Sequence, residues 1–449
     1  MKHYQNKNAV SFSHALPQFI SGKDSPRAFL ERCLETIEAR DKKVKAFVTL
    51  NIMAARAAAD AATKRYKAGR PLSGVDGCVA GIKDIIATRD MPTQMNSPAF
   101  KGWESGQDAA CVHALRTGGA IILGKTVTTE FAIGYSGPTT NPHDSTRTPG
   151  GSSSGTAAAV GAGMIPVGFG TQTQGSTLRP ASYCGAVGFK GTLGALPLGG
   201  VHPLSVTHDH LGVIAGTLED TWRIASHVSL SLGSPGCPHL SGASAELPAA
   251  TKPHRLIRLY MKGWDELDGP HRAVFEATLA QIAHSGVEIV TREHSAAVAE
   301  LEHKLDAGVG GGQDMIAYEM RWPFEDYVAR WGDQIGERIR GLIKRAGEIT
   351  PERYDTLLMA QQQIRADVRK VAEGADGFIF PAASSVAPVG YEWTGSRTYI
   401  AYWSWTGFPA FSLPVMQVGG LPFGLQLAGV GGADGALCAT ANWLVQTLR

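Results

Sequence analysis

Over residues 150–192 the chain twice sets glycines among hydroxyl residues. The first cluster is Gly150-Gly151-Ser152-Ser153-Ser154-Gly155, and the second is Gly168-Phe169-Gly170-Thr171-Gln172-Thr173-Gln174-Gly175-Ser176. Glycine carries no Cβ, so it permits close backbone approach and positive φ. Tight packing accounts for the glycines but not for the serines beside them. Closely spaced backbone, exposed N–H groups and hydroxyls together suit a site that stabilises an oxyanion. Glycine is abundant overall, at 54 of 449 residues, against roughly 7% in ordinary chains.

The rest of the chain alternates between two textures. Asp24-Ser25-Pro26 is a helix-start signal, and Phe29, Leu30, Cys33, Leu34 and Ile37 follow at the spacing of one helical face. Helices are predicted over 53–67, 108–117, 155–163, 270–285, most of 317–372, and 435–448. Strands are predicted over 120–123, 165–168, 255–260, 287–290, 378–381, 410–414 and 424–427. This alternation argues for an α/β fold, a large mixed β-sheet core covered by helices on both faces. No Pro- or Ser-rich linker and no internal repeat divides it.

Composition excludes several function classes. Apolar residues make up 43% and charged residues 18%, with a formal net charge of +2 and no run of like charge. That balance gives no pull towards nucleic acid. The six cysteines stand singly, so neither a zinc site nor a disulfide framework is indicated. No apolar stretch is long enough to span a bilayer, and residues 1–17 lack a secretory pattern. A cytoplasmic protein with reduced thiols is expected, with no membrane partner.

Two motif matches fail on context. Gly119-Ala120-Ile121-Ile122-Leu123-Gly124-Lys125-Thr126 has P-loop spacing, but a helix precedes Gly119 and the intervening residues are those of a strand. Gly151-Ser152-Ser153-Ser154-Gly155 has nucleophile-elbow spacing, yet a loop precedes it where a strand is required.

Taken together, the motifs resemble the amidase signature family, serine hydrolases that use Ser-Ser-Lys. Gly81-Ile82-Lys83-Asp84 is similar to the family's lysine motif. Gly124-Lys125-Thr126, Glu130-Phe131-Ala132, Asn141-Pro142 and the run from Arg147 to Ser153 follow in the family's order. Thr406-Gly407-Phe408-Pro409-Ala410 and the run from Gly420 to Gln426 resemble its C-terminal block. The resemblance implies Ser176 as nucleophile, Ser152 as bridging serine after a cis peptide bond, and Lys83 as base. It implies an oxyanion hole made by the backbone N–H groups of Thr173, Gln174, Gly175 and Ser176. A lysine accepts a proton only when neutral, and burial beside Ile82, Ile85 and Ile86 favours that form. A single domain over 1–449 follows, with a helical part over about 1–70 and a variable, mostly helical insertion over about 295–375.

The expected function is hydrolysis of a small or aryl carboxylic amide through a serine acyl-enzyme, with a carboxylate-bearing amide as an option. The alternative is the amidase subunit of a tRNA-dependent amidotransferase, whose branch usually reads Gly-Gly-Ser-Ile-Arg around the nucleophile. Here the segment reads Gln174-Gly175-Ser176-Thr177-Leu178-Arg179-Pro180. That Ser-x-x-Arg-Pro pattern is similar to the malonamidase-type branch, in which the arginine contacts a substrate carboxylate; the other role for Arg179 is to stabilise the loop. Gln172 stands where Asp is common, and Gln174 where a small residue is usual, so Gln174 and Tyr135 join Arg179 as expected substrate contacts. Trp393, Tyr399, Trp403, Trp405 and the stretch 322–327 fall where relatives line the substrate tunnel. No metal or cofactor is implied, and His208-Asp209-His210 reads as packing. A homodimer is compatible with this reading.

Overall fold

The computed structural model describes residues 3–448. Its eleven strands are β1 (Phe47–Leu50), β2 (Val79–Lys83), β3 (Ile121–Thr126), β4 (Val167–Gln172), β5 (Val187–Lys190), β6 (His210–Ala215), β7 (Arg255–Arg258), β8 (Glu288–Val290), β9 (Gly377–Pro381), β10 (Ala410–Val418) and β11 (Leu421–Ala428). They form one sheet in the order β1-β3-β2-β4-β6-β5-β10-β11-β9-β7-β8. It is mixed: β2 runs parallel to β3 and β4, and β7 parallel to β8 and β9. The remaining pairs are antiparallel. An α/β layered fold is therefore what the chain adopts.

Local signals explain most element ends. Ser25 caps the helix Pro26–Val44 by accepting from the Ala28 N–H, and Asn51 caps Ile52–Lys67 in the same way from Ala54. The P-loop look-alike lies mostly in strand β3, where Gly124 leaves room for the Thr49 carbonyl of β1. Ser152 has loop before it and the helix Ser154–Gly161 after it, so no nucleophile elbow exists here either.

The predicted elements differ from the structure where glycine is dense. The strand predicted to stop at Gly168 is β4, which runs on through Gly170 to Gln172. Its flat, side-chain-poor stretch is accommodated because β2 and β6 flank it on both sides. Strands β1, β2, β5 and β6 carry too little alternation to be predicted. The helix Ser154–Gly161 is buried on every side. It tolerates this because Gly155 lies against Ala46 and Val127 backbone, and Gly161 against the Cys184 carbonyl, leaving no space for a Cβ. Helices Ala296–Glu319, Arg321–Trp331, Glu337–Ala346 and Pro351–Val371 make up the long helical stretch, which begins earlier than residue 317. Core residues from Phe12 to Leu448, including Leu305, Met320 and Val368 of that stretch, belong to one continuous hydrophobic cluster. No described helix is long and apolar enough to cross a membrane.

Candidate active site

Three neighbouring segments bring the predicted catalytic residues to one place. Lys83 ends β2, Ser152 lies in the loop before the helix Ser154–Gly161, and Ser176 lies in the turn after β4. The parallel pairing of β2 with β4 aligns the first and last of these.

Lys83 is fully buried. Its Nζ donates to Ser152 Oγ at 2.7 Å and to Thr171 Oγ1 at 2.8 Å. No carboxylate lies within ion-pair distance of it among the described residues. Burial pushes its ammonium well below the ordinary lysine range, opposed only by the more distant Asp209 carboxylate. The Gly151–Ser152 peptide is cis, as the resemblance implies. Ser152 and Ser176 line the same small cavity. The Ser153 N–H donates to the Ser176 carbonyl at 3.1 Å, tying the two segments together. Between the two hydroxyls themselves there is no hydrogen bond, so the Lys83–Ser152 leg is formed and the Ser152–Ser176 leg is open. Catalytic hydrogen bonds often tighten only with substrate present.

The turn over residues 173–176 is held from every side. Gln172 Oε1 accepts the N–H groups of Thr177 and Leu178, both at 3.0 Å. Its Nε2 donates to Ser404 Oγ at 2.9 Å, and Ser404 in turn donates to the Gln174 carbonyl at 2.6 Å. Thr173 Oγ1 donates to Asp209 Oδ1 at 2.6 Å, while Asp209 Oδ2 accepts from Leu204 and Ser205 N–H. Burial raises the Asp209 carboxyl to about 6 despite these donors. Gly175 leaves no room for a side chain, because a Cβ there would stand 2.7 Å from Ile400 Cγ2. No acceptor among the described residues takes the N–H groups of Gln174, Gly175 or Ser176. They remain available to a developing negative charge at the cavity.

Gln172 thus does more than an Asp could, since its amide both accepts from the turn and donates to Ser404. Gln174 lines the cavity, and its Oε1 accepts from Arg397 Nη1 at 2.6 Å. Arg179 is buried at the cavity wall with both Nη atoms engaged by protein acceptors. Nη1 donates to the Gly395 and Ser396 carbonyls, both at 3.1 Å; Nη2 donates to the Gly151 carbonyl at 2.6 Å and Thr394 Oγ1 at 2.9 Å. It therefore ties the loop around residue 395 to the peptide before Ser152, and only its Nε lacks a partner.

The aromatic expectations hold only in part. Trp393 lines the cavity, but Tyr135 does not: its ring leans on Gly336, and it is half exposed. Tyr399, Trp403 and Trp405 are core residues. Phe324 and Tyr327 pack with Phe100, Phe131 and His202, and Trp322 faces solvent. Large rings reward burial more than cavity lining, which explains these departures.

His208 and His210 do not converge on a common point. His208 Nδ1 meets Ser205 and Thr207 hydroxyls, whereas His210 bonds the His208 carbonyl and Lys190. Among the described residues no group of three or more His, Cys, Asp or Glu is placed to hold a metal ion. Three site residues escape the sequence reading: Thr171, Arg338 and Arg397. Thr171 was within reach, since it sits in the hydroxyl-rich run before Ser176. The two arginines come from distant segments without a local motif.

The chain is similar to known proteins in sequence and in fold. The Amidase family profile matches residues 28–438. The glutamyl-tRNA(Gln) amidotransferase A subunit of Chloroflexus aggregans is 30% identical, over 94% of this chain and 92% of that relative. A solved amidase structure superposes with a TM-score of 0.84 at 25% identity, covering 97% of this chain and 99% of the other. A 6-aminohexanoate cyclic dimer hydrolase complexed with substrate has the same TM-score at 21% identity, over 99% and 98% of the two chains, and speaks for the fold alone.

Proposed function

Because the chain belongs to the amidase family, we propose that it cleaves a carboxylic amide through an acyl-enzyme on Ser176, with Ser152 and Lys83 moving the proton. The observation that carries this reading is the 2.7 Å contact between Lys83 Nζ and Ser152 Oγ, made by a buried lysine without a carboxylate. An amide carbonyl is a weak electrophile, so attack needs a deprotonating hydroxyl and a stabilised oxyanion. Neutral Lys83 takes the proton of Ser152 as Ser152 takes that of Ser176. Ser176 Oγ bonds the carbonyl carbon, and the oxygen's new charge meets the free N–H groups of Gln174, Gly175 and Ser176. The proton then returns along the same path to the leaving nitrogen, the C–N bond breaks, and amine or ammonia departs. Water, activated by the same relay, releases the acid and restores Ser176.

Two readings of the substrate differ in what supports them. The names of the curated relatives favour one component of an amidotransferase complex more than they favour a stand-alone hydrolase of small amides. The segment Gln174-Gly175-Ser176-Thr177-Leu178-Arg179-Pro180 departs from the usual motif of that branch, which supports the stand-alone reading. Turnover by the purified chain separates them. Hydrolysis of simple amides, abolished in Ser176→Ala, supports the stand-alone enzyme; glutamine turnover that appears only with partner proteins supports the amidotransferase. Full activity in Ser176→Ala on any of these substrates overturns the acyl-enzyme.

A further inference from the structure

Three guanidinium groups line the cavity that holds Ser152 and Ser176: Arg179, Arg338 and Arg397. They come from the helix after the turn, from the helix Glu337–Ala346, and from the loop before the helix Ala401–Thr406. Among the described residues none forms an ion pair. Both Nη atoms of Arg179 are taken by carbonyls and a hydroxyl, and Arg397 gives Nη1 to a neutral amide, Gln174 Oε1. Arg338 makes no side-chain hydrogen bond to any described residue and is solvent-exposed. The one carboxylate on the wall, Glu392, is solvent-exposed. Arg179 is buried, Arg397 half-buried and Arg338 solvent-exposed, and like charges ranged around one cavity repel one another unless an anion joins them. Mutual repulsion is felt: burial first, then Arg338, holds the Arg397 guanidinium down at about 10.

The placement of Arg338 is built into the fold. The N–H of Gly336, at the start of its helix, donates to the buried Glu130 Oε1 at 2.9 Å. Glu130 opens the short turn Glu130–Ala132, and Ala132 and Ile133 line the same cavity. The helix is thus tied to the cavity wall, and its first-turn Arg338 lines the same cavity as Ser152.

We propose that Arg338 and Arg397 bind a carboxylate on the acyl part of the substrate, making the preferred substrate the monoamide of a short dicarboxylic acid. This rests on the acyl-enzyme reading. Arg179, whose two Nη atoms are already engaged, acts instead as the brace of the wall. Guanidinium groups suit carboxylates through paired, charge-assisted N–H donors. A monoanion matches the surplus of three guanidiniums over one carboxylate, Glu392, better than an amino-acid amide with its added ammonium does. The tie from Arg397 to Gln174 places the bound anion one side chain away from the oxyanion turn.

The test compares succinamate with butyramide, two amides of equal chain length with and without the second carboxylate. The wild-type enzyme is expected to favour succinamate in kcat/KM by about 10-fold or more, as charged hydrogen bonds warrant. Arg338→Ala is expected to lower the succinamate-to-butyramide ratio by about 10-fold, and Arg338→Lys to restore part of it. Arg338 is the cleaner probe, because Arg397→Ala also frees Gln174. Succinate binding to Ser176→Ala, measured by calorimetry, reads the anion site without catalysis and is expected to vanish in Ser176→Ala/Arg338→Ala. An unchanged ratio in Arg338→Ala, or succinate binding that survives it, overturns the proposal. Full turnover by Ser176→Ala overturns the acyl-enzyme reading instead, and leaves the binding result to decide the anion site.

Discussion

Lys83 and Lys125 stand on the neighbouring parallel strands β2 and β3, both with fully buried side chains. Burial pushes both ammonium groups down, yet their surroundings differ in kind. Lys125 donates to Thr93 Oγ1 at 2.6 Å and to the Ile86 carbonyl at 2.9 Å, and it pairs with Asp84 at 3.2 Å. Lys83 meets two hydroxyls and nothing charged within contact. Burial supplies the same push to each; the partner decides which remains an ammonium and which is free to act as a base. Asp84 is itself raised to about 6 by burial, with Lys125 acting against that rise. The pair at Lys125 is thus a costly structural element whose two halves depend on each other.

The comparison breaks hardest at Lys83. Lys83→Ala is expected to lower kcat/KM on any accepted amide by about 10³-fold, the range of a lost general base. Steady-state rates with folded, monodisperse variant check this; a loss of less than about 10-fold sinks the assignment. Lys125→Ala is expected to act on stability, because it strands the buried Asp84 carboxylate. Urea unfolding is expected to show a loss of about 3–5 kcal/mol. A change under about 1 kcal/mol shows that the pair was never structural.

The next variant gives Lys83 the partner that Lys125 has. Thr171→Asp places a carboxylate beside the Lys83 amine, where it favours the ammonium. A fall in kcat/KM of about 10²-fold at neutral pH is expected, with recovery as pH rises. In the wild type, the rate falls as pH drops through the depressed value of Lys83, since only the neutral amine accepts a proton. In Thr171→Asp that midpoint moves to higher pH. A pH–rate profile superposable on the wild type defeats the comparison.

The difference between the two lysines also shows what a sequence makes legible. Both stand in short motifs, Gly81-Ile82-Lys83-Asp84 and Gly124-Lys125-Thr126, and the apolar neighbours of each announce burial. Asp84 is next to Lys83 in the chain but pairs with Lys125, because successive side chains of a strand point to opposite faces. Only the sheet register reveals that exchange. The same limit applies to the site at large. Ser152, Ser176 and the glycine-lined turn are local and were readable. Arg338 and Arg397 reach the cavity from segments far along the chain from Ser176, and no local pattern marks them. Tyr135 misled for the converse reason: it falls where relatives line the substrate tunnel, yet its ring turns to Gly336. In the fold, strands with strong apolar runs were readable, whereas β2 and the far end of β4 were not. There, glycine removes the alternation that identifies a strand.

The smallest expected effect is the most discriminating about protonation. An unfolded lysine titrates near about 10.4, and Lys83 in the folded protein lies well below its ordinary value. Between these two values the unfolded chain holds a proton on Lys83 that the folded chain does not. Stability therefore rises with pH across that window, and the cost is fully present below the folded value. Lys83→Met removes the titration while nearly preserving volume, though it leaves the hydroxyls of Ser152 and Thr171 without their partner. Against that loss stands the relief of an amine that burial disfavours as an ammonium. The variant is thus expected to be inactive yet more stable by about 1 kcal/mol. That advantage shrinks as pH approaches about 10, where the wild type regains what it lost. Urea midpoints for both proteins from about pH 7 to about pH 10 test this. A difference that stays constant over the range means that Lys83 holds the same proton in both states. Lys83 would then be a second Lys125, and the base would have to be sought elsewhere.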